Sequence, residues 1–200
     1  MIELVDKSTV GAYDFPILRA CRKVPHDLMP FNMARSAKRR AGRWIHFFVD
    51  DYQFERIWRS PERYLPMLRK FEGVIAPDFS MWADHARVEQ IYNCWRNRVL
   101  AKWMQEQGLQ VVPCVEWSDK ASLAWCLDGL PKQSTIAVQT NGCFMNLRTR
   151  ADLIRGMNDV VCNLEPTMIL FYGRGRDDFR NCFPNSVWVE SYCQKMKKRL

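Results

Sequence analysis

The stretch Trp-Ile-His-Phe-Phe-Val-Asp-Asp, residues Trp44 to Asp51, decides the fold class. An apolar run of this length, entered from Gly42-Arg43 and closed by two carboxylates, is too short for a helix. It reads as a strand covered on both faces, the kind that parallel sheets use. The same pattern recurs outward along the chain: Val74–Ala76 after Glu72-Gly73, Gln110–Val115 after Gly108, Thr135–Gln139, Met168–Tyr172 after Pro166, and Val187–Val189. Helical segments fill the intervals. Tyr52–Trp58 makes a turn or two. Ser60-Pro61-Glu62 opens a helix with a hydroxyl cap, a proline at the first position and an acid at the positive end, carrying Tyr64, Leu65, Leu68 and Phe71 inward. Arg87–Gln107 is the clearest helix, stopped by Gly108. Its spacing points Val88, Ile91, Tyr92, Trp95, Val99, Leu100 and Trp103 inward and Glu89, Asn93, Arg96, Asn97 and Lys102 outward. Ser118 or Asp119 would cap a helix over Lys120–Leu127, and Leu147–Asn163 would bury Leu153, Ile154, Met157 and Val160.

This alternation is the βα rhythm of an α/β protein. The expectation is a mostly parallel sheet of five or six strands with βα repeats, open or incomplete barrel-like, because 200 residues fall short of the ~250 of a closed eight-unit barrel. One domain spans 1–200, with basic segments at 1–43 and 174–200. Composition, at 48% hydrophobic and 26% charged, excludes disorder, collagen and coiled coil as overall descriptions. No apolar stretch is long enough for a spanning helix. The first residues carry acids and no apolar signal core, so no membrane partner and a cytoplasmic location are expected. The eight cysteines show no CxxC and lie mostly in apolar runs, which predicts free, largely buried thiols.

The net charge of +8 favours a polyanionic partner. It is concentrated at the two ends: Arg35, Lys38, Arg39, Arg40 and Arg43 on one side, and Arg174 and Arg176 in a Gly-Arg-Gly-Arg loop on the other. Glycine would let the backbone approach an anion while the arginines offer forked donors. No GK[ST] follows, and GxGxxG is absent.

In parallel sheets, working residues collect beyond the carboxyl ends of strands. Here those positions hold Asp50 and Asp51, then Asp78 and Ser80, then Glu116, Ser118 and Asp119, then Thr140 and Asn141. Asp50, Asp51 and Asp78 together would suit a divalent cation. With Glu116 and His85 they would supply general acid and base groups. The alternative role for each acid is to cap the following helix. Ser-His-Asp order, HExxH and GxSxG are absent, which removes support for acyl hydrolysis and zinc-peptidase chemistry.

The segments Phe48-Val-Asp-Asp-Tyr-Gln-Phe-Glu-Arg-Ile-Trp58, Gly73-Val-Ile-Ala-Pro-Asp-Phe-Ser80 and Asn97-Arg98 through Val111-Val-Pro113 resemble a family known only as domain of unknown function 4417, found in phages and other mobile elements. The resemblance covers roughly Tyr13 to Gly173. It implies a phage or mobile-element setting and no activity, and it picks out Asp50, Asp51, Asp78 and Ser80. Three functions fit the residues. One is binding of nucleic acid or a nucleotide, with phosphoryl-transfer or nuclease-type chemistry at the acidic rim. The second is a non-enzymatic protein that inhibits a host factor, and the third an enzyme on a small anionic metabolite.

Overall fold

The computed structural model describes residues 2–175, 177–192 and 194. A short hairpin, β1 (Thr9–Val10) and β2 (Phe15–Pro16), precedes the parallel strands. A four-stranded parallel sheet follows in the order β3 (Leu28–Pro30), β4 (Trp44–His46), β5 (Gly73–Ile75) and β6 (Val111–Val112). A three-stranded parallel sheet runs β7 (Thr135–Gln139), β8 (Met168–Tyr172), β9 (Ser186–Val189). The two are stitched together just past β6. There Val115 N–H donates to Ala137 C=O at 2.9 Å, and Ala137 N–H donates to Pro113 C=O at 2.8 Å. Spatial order therefore equals chain order across both sheets, the winding of a barrel and not that of a doubly wound sheet.

The surface curls. Rings from β4 and its exit meet a ring from β8 across the concave side, with His46 and Phe48 centroids 4.5 and 4.9 Å from Tyr172. Contact between strands this far apart in the order requires a strongly bent sheet. Among the described residues β9 does not pair with β3, so the barrel is open.

Every run read as a strand contains one, though the first and third are shorter than expected, and β3 was not anticipated. Its Leu-Met-Pro sequence lies within the basic N-terminal segment and lacks β-branched residues. The helices are α1 (Glu55–Arg59), α2 (Pro61–Leu68), α3 (Arg87–Glu106), α4 (Leu147–Leu164) and α5 (Asp177–Cys182). Pro61 opens α2 as expected, but Ser60 makes no side-chain cap bond. The helix expected over Lys120–Leu127 is only a single tight turn, Ser122–Ala124. Ser122 and Asp119 satisfy the local backbone instead. The Ser122 hydroxyl accepts from the N–H groups of Ser118 and Asp119 at 3.0 and 3.2 Å, and Asp119 accepts from Ser122 N–H at 2.7 Å. Such bonds compete with helix propagation.

The largest correction concerns α3. Asn93, Arg96, Asn97 and Lys102, read as outward, are buried, whereas Val88 and Tyr92, read as inward, are exposed. The polar stripe faces protein and not water. Lys102 Nζ, for instance, reaches Asp6 at 2.5 Å and the Ile17 carbonyl at 3.1 Å. The seven described cysteines are free, and Cys193 lies outside the described residues. Cys21, Cys94, Cys114 and Cys126 are buried, but Cys162 and Cys182 are exposed. No helix is long and apolar enough to cross a membrane.

Gly156, inside α4, seats the Trp117 ring: a Cβ there would lie 2.2 Å from it. Alanine normally improves a helix interior by about 1 kcal/mol over glycine. Gly156→Ala is expected to do the reverse, lowering stability by about 1–3 kcal/mol through overpacking. Thermal melts check this, and a raised melting temperature would contradict the packing.

Candidate functional site: a paired carboxyl rim on the open barrel

Three strand exits converge at the carboxyl end of the sheet. Asp51 leaves β4, Asp78 leaves β5 through Pro77, and Glu116 leaves β6. All three are half-buried. Asp51 is tied to the Asp78 loop: its carboxylate accepts from the Ser80 N–H at 3.1 Å and from the Ser80 hydroxyl at 3.0 Å. Burial still pushes its carboxyl above the usual range, against the pull of Ser80 and Arg96.

Asp78 and Glu116 face each other closely enough for each carboxyl to act on the other's proton. Two buried carboxylates side by side repel, and a proton on one of them relieves the repulsion. Burial raises Asp78 first, and the Asp51 charge adds to it. Bonds from Glu116, from Cys114 Sγ at 3.5 Å and from Gln139 Nε2 at 3.0 Å work the other way. Burial and the Asp78 charge together lift Glu116 well above the carboxylate range, only partly offset by Arg98 and Asn97. The pair thus gives up its proton less readily than ordinary carboxyls do. Arg98 does not neutralise it directly, because its guanidinium donates to the carbonyls of Cys126 and Asp128 at 2.6 and 3.2 Å.

Helix α3 fixes this geometry. Asn97 accepts from Phe79 N–H at 2.8 Å, donates back to Phe79 C=O at 3.2 Å, and donates to Glu116 Oε1. One amide therefore anchors the loop that carries Asp78 and also orients its partner. Asn93 holds the next carbonyl, that of Ser80, at 2.7 Å. Arg96 lies over the Phe79 ring at 3.7 Å and bonds Glu55 at 2.9 Å and Asn93 at 2.6 Å.

Past Gln139, the rim opens into a cleft of about 900 Å³ that Thr140, Asn141, Arg174, Arg180 and Ser191 help to line. Gly173, at φ +124°, permits the close approach here. A Cβ would sit 2.7 Å from Asn141 Oδ1 and 2.8 Å from Thr140 Oγ1, and the Thr140 hydroxyl donates to the Arg174 carbonyl at 2.7 Å.

Of the residues singled out from sequence, Asp51, Asp78, Ser80 and Glu116 come together, and Asn141 and Arg174 line the adjoining cleft. Asp50 does not join them: it is exposed, and its carboxylate accepts from Gln53 Nε2 at 3.1 Å. The set Asp50, Asp51 and Asp78 is therefore split. Among the described residues no three His, Cys, Asp or Glu side chains converge as metal ligands. His85 pairs with Glu89 at 3.1 Å on the exposed start of α3. Arg35, Lys38, Arg39, Arg40 and Arg43 lie outside the rim, with Arg39 and Arg43 both on Asp27 at 2.8 and 3.0 Å. Arg176 falls outside the described residues. Asn93, Arg96, Asn97, Cys114 and Gln139 were missed. An amide-rich stripe without alternating Lys and Glu was the available signal for α3, since solvated faces favour charges.

The model of the family described as Domain of unknown function (DUF4417) matches residues 7–189. The chain belongs to this family. It is 35% identical over 194 residues to the Gene 1 protein of Mycobacterium phage D29, covering 95% of this chain and 71% of that protein. It is 34% identical over 169 residues to the Gene 1 protein of Mycobacterium phage L5, covering 83% and 73% respectively. The family is thus phage-associated, and the match reaches past Gly173 through β9. No solved structure matches the chain.

The raised carboxyls have a consequence for stability. Asp78 and Glu116 bind more protons folded than unfolded, so their contribution is complete below the unfolded value near 4 and is lost as pH climbs toward the folded values. Asp78→Asn keeps the acceptor and supplies a donor toward Glu116. It is expected to raise the melting temperature at pH 8, with the gain shrinking toward pH 4. Equal melting of variant and wild type at both pH values would contradict the shared proton.

Proposed function

We propose that this protein is an enzyme that carries out acid–base chemistry on a phosphate-bearing substrate, a nucleotide or a nucleic-acid strand, at the Asp78–Glu116 rim. The carboxyl pair carries the reading: with one proton between two oxygen ligands, one carboxyl is able to donate while the other accepts. Arg174 and Arg180, on the adjoining cleft, are the anion-holding groups, and Asn141 and Thr140 offer neutral hydrogen bonds beside them. The cleft volume lies in the range of small-molecule sites.

Hydrolysis of nucleotides and of short oligonucleotides, followed across pH, tests this. Asp78→Asn and Glu116→Gln are each expected to lower turnover by about 10²–10⁴-fold while the fold persists, and the wild-type profile should be bell-shaped. Turnover unchanged in both variants would contradict it. A cation between Asp51 and Asp78 is the competing way to relieve the same repulsion. It predicts that millimolar Mg²⁺ or Mn²⁺ raises the melting temperature of wild type but not of Asp78→Asn. The proton-sharing account predicts melting unmoved by either metal.

A further inference from the structure

We infer that a second, separate anion site lies between the turn after β3 and helix α2, and that it takes a phosphate group. Arg35, Arg40, Arg63 and Lys70 line a pocket of about 270 Å³ together with Tyr64 and Met67, and no acid lines it. None of the four cations has an ion-pair partner among the described residues, whereas nearby Arg39 and Arg43 share Asp27. Arg40 is already fixed in place, its Nη2 donating to the Arg35 carbonyl at 2.8 Å. Its Nε is buried without a hydrogen-bond partner.

Four like charges gathered around one hollow repel unless an anion sits among them, and a buried N–H without an acceptor costs stability. One group relieves both: a compact anion with several acceptor oxygens, which guanidinium groups match in a forked geometry. The pocket is smaller than the ~300 Å³ at which sites enclose whole small molecules, so it suits a phosphate and not an entire nucleotide. Met67 in the last turn of α2 and Lys70 just past it lie where the chain leads into the start of β5. The site thus sits apart from the carboxyl rim, no residue of which lines it. A phosphate here comes either from a nucleic-acid backbone or from a free anion.

The test uses the intact chain with two probes, inorganic phosphate in thermal melts and a short single-stranded oligonucleotide in anisotropy titrations. The main variant is Arg63→Gln/Lys70→Gln, both exposed and safe for folding. Arg40→Gln is the second. For a backbone site, both variants should bind the oligonucleotide about tenfold more weakly at low salt, and the slope of log affinity against log salt should flatten by about 1. For a free-anion site, phosphate raises the wild-type melting temperature above a chloride control, the variants lose that rise, and oligonucleotide binding is unmoved. Lys132→Gln, an exposed cation paired with Glu165 and lining neither this pocket nor the cleft beside the rim, should behave as wild type in both assays, which separates the site from a general loss of positive charge. If neither probe distinguishes Arg63→Gln/Lys70→Gln from wild type, the site is refuted.

Discussion

The side-chain amide of Asn97 is the interaction on which the rim depends. It completes both backbone bonds of Phe79 and donates to Glu116. A loop following a three-residue strand such as β5 has little intrinsic order, and ordering it costs backbone entropy. A two-way amide clamp from a 20-residue helix supplies that order at the residue next to Asp78. It also forces the amide-bearing face of α3 inward. A buried amide is stable only when its donors and acceptors are met, and here the loop backbone and Glu116 meet them.

From that clamp follows an electrostatic tension. Holding Asp78 against Glu116, with Asp51 close by, collects three carboxyls where burial disfavours every charge. The protein answers with neutral donors: Ser80 for Asp51, Gln139 and Cys114 for Asp78, Asn97 for Glu116. Arg98 is near enough to draw Glu116 down but spends its bonds on carbonyls. Had it paired with Glu116, the carboxyl would be a plain anion. Keeping the cation at one remove is what leaves a titratable proton in the rim, and preserving such a pair at the expense of stability is characteristic of functional sites.

The strand order and the rim's acids were legible because their causes are local. Short apolar runs ending in carboxylates announce buried parallel strands, and a strand's carboxyl end is where its loop residues gather. Asp78, Glu116, Asp51 and Ser80 were found this way. The orientation of α3 was not legible. Its Trp and Tyr residues and its Asn and Arg residues both fit helical spacing, and only the tertiary partner of each stripe decides which faces inward. Asn97 was visible within the Asn97-Arg98 motif, yet its role rests on contacts 18 and 19 residues away. Asp50 illustrates the opposite failure. Adjacent carboxylates in a tight turn point in different directions, so sequence proximity to Asp51 says nothing about sharing its site.

The central claim is that Asp78 and Glu116 keep a proton between them beyond the pH at which ordinary carboxyls ionise. Infrared difference spectroscopy of the carboxyl C=O stretch, comparing wild type with the Asp78→Asn/Glu116→Gln double variant, measures this directly. The account predicts a protonated-carboxyl band that persists in wild type above about pH 5 and is missing from the double variant. Loss of every such wild-type band by about pH 5, where ordinary carboxyls have already ionised, would contradict it.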